Sequence, residues 1–374
     1  MMYTCTVVFL CSIVKKMSYS GNTMNDDKQD TIHVTRDLVA RKAKVSSATV
    51  SRVFNCPSAV SEPMRQAVLD AARDLGYRPN KAAGALRRNG TGTIALVEFV
   101  KPPRRYYWGA LKCFDWFFAS AMRGVQQALA YSTWHFSVET AHDEKELLEI
   151  SRRCDGIVSY DVDTLQEAEM LDSMPVPYVL AHHIGTSPEF QSYLYVGTDN
   201  RFGGKMQGRW LVEQGCRRPV YVTGWRDFVD SHAQRYKGFM ESIIESGANP
   251  LVLDIEVGSV GAVPSVLKRI ADLCRSGEVD SIAAVNDMTL YEILFGLRAA
   301  GIQTPSRELP AAGYDATPYY RFLPGPLASI DIDPQQVYCE ATKLLVRKLS
   351  GEKVSSLICP PKLQVQSETS IVFV

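Results

Sequence analysis

The chain has 374 residues, of which 46% are hydrophobic and 22% are charged, and this composition excludes a disordered or fibrous protein. Lys plus Arg and Asp plus Glu number 41 each, so the net charge by itself excludes no class of partner. The length predicts two or three domains with a sizeable core.

The charges are distributed unevenly along the chain. Residues 31–90 contain eleven Lys and Arg against four Asp and Glu, so this segment carries about +7 and the rest of the chain about −7. A basic module attached to an acidic body is typical of a protein that meets a polyanion at one end.

Residues 1–30 are predicted to be a disordered extension or the product of an upstream start codon, with the working protein beginning near Met24. The apolar run Thr4–Val14 is too short to span a bilayer. It follows no Lys or Arg and precedes no small-residue cleavage site, so it is a poor secretory signal. We therefore expect a cytoplasmic protein without a membrane segment.

Nine cysteines are scattered along the chain without C-x-x-C pairs or metal-ligand spacing. This distribution favours free, mostly buried thiols in a reducing compartment. The sequence therefore predicts neither a metal site nor a cofactor.

Three short helices are predicted within residues 31–77. The first follows the N-cap Thr35 and ends near Ala43, the second begins at Ser46, and the third begins at Ser61. Gly76 stands where the third helix would end. The predicted apolar face of the third helix consists of Met64, Val68, Ala71, Ala72 and Leu75.

The second helix, in the stretch KVSSATVSRVFN, has an outer face of small residues with one charge, Arg52. A helix that enters the major groove of DNA needs such a face, because bulky or acidic side chains would keep its backbone from the base edges. Serine hydroxyls bond bases or phosphates, and arginine binds guanine bidentately or contacts a phosphate. The pattern predicts a DNA-binding helix, with an ordinary helical hairpin as the alternative.

Residues 34–88, with VSSATVSRV and YRPN at matching spacing, resemble the DNA-binding headpiece of the LacI/GalR family of bacterial transcription regulators. The resemblance implies a helix-turn-helix headpiece over residues 31–77. The base contacts that it implies are Ser47, Ala48, Arg52 and, as a minor-groove wedge, Leu86. The phosphate contacts that it implies are Thr35, Ser46, Thr49, Ser51 and Asn80.

The headpiece departs from the family pattern in two places. Lys44 stands where members usually have Gly, and Leu38 stands where they have an acidic residue. Lys44 offers a further phosphate contact, or it strains the turn if that position requires a positive φ.

Residues 78–92 are predicted to be a hinge helix and linker. The segment NKAAGALRR is too short to be stable as an isolated helix, and Gly84 costs about 1 kcal/mol relative to alanine. Our hypothesis is that the segment is coil in the free protein. It would become helical when two copies pack together on DNA, where Leu86 bends the duplex.

From Thr93 onward, short apolar runs alternate with longer amphipathic stretches. This alternation predicts an α/β body of two doubly wound parallel-sheet lobes, because so many strands exceed one comfortable sheet. The predicted effector-binding and dimerisation domain, residues 93–374, divides into an N-lobe of about 93–198 plus 332–356 and a C-lobe of about 199–331 plus 357–374.

Polar residues follow several predicted strands, namely His182, His183, Asp199, Asn286, Asp287 and Asp315. Each by itself is more often a helix cap than a ligand contact. Since ligands of doubly wound sheets bind beyond the carboxyl ends of the strands, together these residues predict one cleft between the lobes.

The body also resembles the periplasmic-binding-protein-like effector domain of the same family, through VGTDN, RYKGF, AAVND and GYD in order. The effector contacts implied are Trp116, Phe117, His182, Arg235, Asn286 and Asp315. The chain departs from the pattern with an extra PPRRYYWGALKC and with His182 where sugar-binding members commonly have Asp. A histidine near arginines favours an acidic sugar or sugar phosphate over a neutral hexose.

No enzyme motif is present: the sequence has no H-E-x-x-H, no P-loop, no G-x-S-x-G and no G-x-G-x-x-G after the first strand. We therefore predict a homodimeric, ligand-responsive repressor that binds a pseudopalindromic operator on double-stranded DNA. The rival interpretation is an exported solute-binding protein for a carbohydrate, which the basic headpiece and the poor signal disfavour.

Overall fold

The structure, a computed structural model, contains a small helical headpiece followed by two α/β lobes, as predicted. No helix in the described ranges is both long and apolar enough to cross a bilayer. The described residues are 34–55, 59–79, 90–99, 115–160, 162, 164–182, 188–224, 226, 229–255 and 262–367.

The headpiece consists of α1 (Arg36–Ala43), α2 (Ser47–Asn55) and α3 (Glu62–Leu75). The Thr35 hydroxyl accepts a hydrogen bond from the backbone N–H of Leu38, and the Ser46 hydroxyl accepts one from that of Thr49. These caps confirm where the first two helices begin, because they satisfy N–H groups that have no partner within the helix.

One apolar cluster holds the three helices together. Val39 of α1, Val50 and Val53 of α2, and Val68 of α3 are all buried in it. Met64 was predicted to belong to this face but is 41% exposed. That prediction is wrong because Met64 lies in the first turn of α3, while the packed part of the helix begins one turn later, at Val68.

The N-lobe sheet is entirely parallel, with the strand order β11-β5-β4-β3-β1-β2. Its strands are β1 (Thr93–Phe99), β2 (His135–Ala141), β3 (Gly156–Tyr160), β4 (Tyr178–His182), β5 (Tyr195–Thr198) and β11 (Leu357–Cys359). Its helices are α4 (Asp115–Leu129), α5 (Glu144–Ser151), α6 (Leu165–Asp172) and α11 (Pro334–Leu349).

The C-lobe sheet has the order β12-β10-β9-β8-β6-β7, and only the edge strand β12 runs antiparallel to its neighbour. Its strands are β6 (Pro219–Thr223), β7 (Leu251–Asp254), β8 (Ser281–Ala284), β9 (Ala311–Tyr314), β10 (Leu327–Asp331) and β12 (Lys362–Gln366). Its helices are α7 (Asn200–Glu213), α8 (Asp230–Glu245), α9 (Ala262–Ser276) and α10 (Asp287–Ala299). A 3-10 turn covers Pro318–Phe322 in this lobe, and another covers Pro188–Phe190 between β4 and β5 of the N-lobe.

The chain passes between the lobes three times, after β5, after β10 and after β11. The sequence placed residues 357–359 in the C-lobe, but β11 pairs in parallel with β5 of the N-lobe. The last crossing therefore lies at Pro360 and Pro361, where the missing backbone N–H groups end the strand.

Helix α4 connects the N-lobe to the headpiece. At Gly124, an added Cβ would lie 2.3 Å from the carbonyl oxygen of Gln335, so α4 and α11 are in backbone contact there. Just after the end of α4, Tyr131 packs against the apolar cluster of the headpiece.

The cysteines within the described ranges are free thiols, as predicted, and burial raises the pKa of each. Four are buried and Cys274 is half-buried. They are small apolar core residues rather than reactive groups.

Candidate functional site

The outer face of α2 carries the residues predicted to read DNA. Ala48 and Arg52 are exposed, Ser47 is half-buried, and Val50 and Val53 on the opposite side are buried. The face is therefore flat, polar and accessible, which is the geometry that entry into the major groove requires.

A carboxylate that the sequence analysis did not single out lies beside this face. The Ser47 hydroxyl donates a hydrogen bond to the carboxylate of Asp37, which lies in the first turn of α1. The contact joins residues ten positions apart on different helices, so no local pattern indicates it.

Lys44 adopts the left-handed conformation, with φ 55° and ψ 40°. Its backbone N–H donates to the carbonyl oxygens of Ala40 and Arg41 and thereby caps α1. The position thus requires a positive φ, which is the condition under which lysine strains the turn.

Several predicted contacts lie outside the described residues. These are Asn80 and Leu86, together with most of the hinge segment, His183 and the extra segment before α4. His182 ends β4 at the carboxyl edge of the N-lobe sheet, but its side chain is not part of the described structure. Their roles stay predictions.

Arg235 of α8 lies at the carboxyl edge of the C-lobe sheet and is only 2% exposed. Its Nε donates to the side-chain oxygen of Asn200 at 3.0 Å, and one terminal nitrogen donates to the carbonyl oxygen of Val285 at 3.0 Å. The other terminal nitrogen lies 3.0 Å from the Asp315 carboxylate, and the guanidinium carbon lies 3.9 Å from the centre of the Tyr314 ring. Four groups therefore fix the orientation of this guanidinium.

Asp315, which pairs with Arg235, lies in a strained loop. Its φ is 98° and that of Ala316 is 46°, values that non-glycine residues rarely adopt. The Asp315 backbone N–H donates to the carbonyl oxygen of Ile330 at 2.7 Å, which ties the loop to β10.

Asn286 caps α10. Its side-chain oxygen accepts hydrogen bonds from the backbone N–H and the hydroxyl of Thr289, both at 2.8 Å. Because the cap uses the carbonyl oxygen, a ligand contact would fall to the amide nitrogen of this side chain.

The two predicted aromatic contacts differ in their surroundings. Trp116 is half-buried, and its indole N–H has no hydrogen-bond partner in the described part of the chain. Phe117 is 6% exposed and packs in the core against Tyr160 and Tyr338, with ring centroids 5.7 and 6.2 Å away. The Phe117 ring therefore packs into the N-lobe core, and its predicted contact with an effector stays a prediction.

Asp287 is the buried acidic residue at the centre of this region. It accepts hydrogen bonds from Ser329, from Tyr291 and from the backbone of Thr317. In the sequence Asp287 stands out only as part of the polar pair Asn286-Asp287, because its partners lie up to 42 positions away.

Comparison with known proteins agrees with this architecture. Residues 37–80 match "Bacterial regulatory proteins, lacI family", and residues 209–365 match "Periplasmic binding protein-like domain". The HTH-type transcriptional regulator CelR of Thermobifida fusca is 30% identical over 85% of this chain and 92% of its own length. The chain belongs to the LacI family of bacterial regulatory proteins.

Two further relatives span nearly the same length as this LacI-family regulator. Catabolite control protein A of Priestia megaterium is 25% identical over 90% of this chain and all of its own length. The solved structure of a CelR–cellobiose complex is 27% identical, covers 90% of this chain and 99% of its own, and superposes with a TM-score of 0.60. The comparisons favour a transcription regulator over both an enzyme and an exported solute-binding protein.

Proposed function

We propose that this LacI-family regulator is a homodimeric repressor whose affinity for a pseudopalindromic operator is controlled by a sugar bound between its lobes. The protein would act in the cytoplasm, where the DNA lies. The effector part rests on the buried Arg235–Asp315 pair at the carboxyl edge of the C-lobe sheet. A guanidinium fork and a carboxylate held in fixed geometry are suited to the hydroxyls of a sugar.

The charge around Arg235 favours a neutral sugar over the acidic sugar that His182 suggested. Asp315 already pairs with the guanidinium, and the buried Asp287 adds a second carboxylate nearby. An acidic effector would meet the Asp315 carboxylate, with the buried Asp287 close behind it, whereas hydroxyls can donate to Asp315 and accept from the remaining N–H groups of Arg235. The CelR relative, solved with cellobiose, supports the same class.

Isothermal titration with cellobiose, glucose, glucuronate and glucose 6-phosphate tests the effector class. We expect heat from a neutral sugar, and heat from the acidic sugars alone would overturn the assignment. Arg235→Lys keeps the charge but loses the fork, and we expect it to weaken binding of that neutral sugar about tenfold or more.

Selection of duplexes from a random pool tests the operator. We expect a symmetric site, and Arg52→Ala to weaken binding to it by about 1–3 kcal/mol while changing non-specific binding much less. Arg73→Ala is the matched control, because Arg73 is an exposed arginine of the same headpiece on α3. No preference of the wild-type protein for a symmetric duplex over a random one would overturn the proposed function.

An exposed aromatic surface supports the homodimer. Phe295 on α10 is 59% exposed, and Phe322 at the end of the following 3-10 turn is 82% exposed. A 2.7 Å contact between the Tyr291 hydroxyl and the Thr317 hydroxyl joins these two elements. Because monomers rarely leave a contiguous apolar patch in water, we propose that these two elements form one and that a second copy of this chain covers it.

The hinge hypothesis completes the proposal. If residues 78–92 become helical only when two copies meet on DNA, a change in the spacing of the two N-lobes alters the stability of that pair of helices. The effector can shift this equilibrium only by its difference in affinity for the two arrangements, typically about 1–3 kcal/mol.

A further inference from the structure

Asp287, the first residue of α10, is fully buried at the base of the loop that carries Asp315. One of its oxygens accepts from the Ser329 hydroxyl at 2.7 Å. The other accepts from the backbone N–H of Thr317 at 2.8 Å and from the Tyr291 hydroxyl at 3.1 Å. One carboxylate therefore connects β10, α10 and the loop after β9.

The same network holds the loop residue Ala316 and its neighbour Thr317. The Ala316 N–H donates to the Ser329 hydroxyl at 2.9 Å, while Thr317 shares its hydroxyl with Tyr291 at 2.7 Å. Two successive non-glycine residues with positive φ persist only when the surroundings over-determine them. The bonds that converge on Asp287 supply that constraint.

The Asp287 carboxylate packs directly against the backbone of Gly313. A Cβ added at this glycine would lie 2.0 Å from an oxygen of Asp287, so only a residue without a side chain leaves room for it. The glycine two positions before Asp315 thus belongs to the same arrangement as the aspartate that begins α10.

We propose that Asp287 is the positioning residue of the effector site: it holds the loop 315–317 in the one conformation in which Asp315 pairs with Arg235. The inference rests on the proposed function of the cleft. Asp287 itself touches no ligand, since it is completely covered by protein.

A half-buried turn in the same lobe, also held by an aspartate that accepts from backbone N–H groups, provides the control. Asp280 accepts hydrogen bonds from the backbone N–H groups of Arg217 at 2.8 Å and Arg218 at 3.0 Å. These residues precede β6 and β8, so Asp280 lies at the amino edge of the C-lobe sheet, opposite the cleft. Asp→Asn at this position perturbs the lobe in the same chemical way without touching the loop.

The pH dependence of sugar affinity distinguishes a positioning role of Asp287 from a purely structural one. Burial, and secondly the charge of Asp315, raise the pKa of Asp287 to about 7. The other ionisable groups facing it are Tyr291 on α10 and, through Asp315, Arg235 on α8. A protonated carboxyl loses acceptor capacity, so the loop should loosen and sugar affinity should fall as the pH drops through neutrality.

The experiment is titration of cellobiose into the wild type, Asp287→Asn and Asp280→Asn between about pH 8 and about pH 6. We expect Asp287→Asn to bind about tenfold or more weakly and to lose the pH dependence of the wild type. Asp280→Asn should keep both affinity and pH dependence. Unchanged binding by Asp287→Asn, an equal loss in Asp280→Asn, or wild-type affinity that rises on acidification would overturn the inference.

Hydrogen exchange separates this inference from the proposed effector. At equal pH, the amides of Ala316 and Thr317 should exchange faster in Asp287→Asn than in the wild type and in Asp280→Asn, whatever sugar the protein binds. Equal exchange in all three proteins would refute the positioning role. If Asp287→Asn does not fold, Ser329→Ala removes one donor of the network and should show the same acceleration to a smaller degree, and no acceleration would refute the role as well.

Discussion

Lys44 couples the stability of the headpiece to its charge. Its positive φ costs about 1–2 kcal/mol for a residue with a Cβ, yet its backbone N–H forms the cap that ends α1. The side chain is exposed next to α2, where a cation attracts phosphate. One position therefore carries a conformational cost and an electrostatic gain.

Lys44→Gly should raise the free energy of unfolding of the headpiece by about 1 kcal/mol, because glycine adopts the left-handed conformation without strain. Urea unfolding followed by far-ultraviolet circular dichroism measures this. Lys44→Ala is the control, since it removes the same charge but keeps the strain. Equal stabilities of the two variants would contradict the explanation.

The sequence pointed to Asn286 and Asp315 because each follows the carboxyl end of a predicted strand, and to Arg235 through the family resemblance of RYKGF. It offered a helix cap and a ligand contact as alternatives for Asn286, because both need the same residue types at the same place. The burial of Phe117 was not predictable, because the run Trp-Phe-Phe offers three adjacent aromatic rings. Periodicity alone does not decide which of them faces the core.

At the scale of elements, α7 and α8 approach each other through reciprocal glycines. A Cβ at Gly204 would lie 2.1 Å from the carbonyl oxygen of Arg235, and a Cβ at Gly238 would lie 1.9 Å from that of Arg201. The near contact of the two backbones brings Asn200, which begins α7, within hydrogen-bond distance of the Arg235 side chain. Close helix packing thus sets the surroundings of the Arg235 guanidinium.

Gly204→Ala should destabilise the protein by about 1–3 kcal/mol, because the methyl group would have to push two backbones apart. It should also weaken sugar binding, since Asn200 and Arg235 lie on the separated helices. Thermal unfolding and titration calorimetry measure the two effects. Gly296→Ala is the control: its Cβ would meet only the flexible end of the Leu267 side chain, at 2.8 Å. A Gly204→Ala protein as stable as that control would contradict the argument.

Strand–helix alternation was enough to predict two parallel-sheet lobes, since each buried strand reads as a short apolar run. The position of β11 was not predictable in the same way. Its three residues are apolar, but nothing in Leu357–Cys359 indicates which of two nearby sheet edges it joins. That choice depends on pairing with β5, a contact about 160 residues away along the chain.

At the scale of the whole molecule, the aromatic surface on α10 and the following 3-10 turn predicts the assembly state. Phe322→Asp should convert the dimer to a monomer, because it would bury a charge at the interface. Sedimentation velocity measures this. The operator affinity should fall with it, since two linked headpieces bind one site far more tightly than two separate ones.

Ile244→Asp is the control for Phe322→Asp. Ile244 is also strongly exposed on the C-lobe, but it lies near the end of α8, away from α10. This variant should remain dimeric. A dimeric Phe322→Asp protein, or a monomeric Ile244→Asp protein, would place the contact between copies elsewhere.

The backbone contact at Gly124 gives α4 a fixed point near its middle. Trp116 lies in the first turn of the helix and Tyr131 lies just beyond its last turn, on the headpiece side. A helix of this length is about 22 Å long and bends little. If a bound sugar displaces the Trp116 indole, α4 should rotate about Gly124 and displace Tyr131 in the opposite direction. Binding of the sugar would then move a residue that packs against the DNA-reading helices.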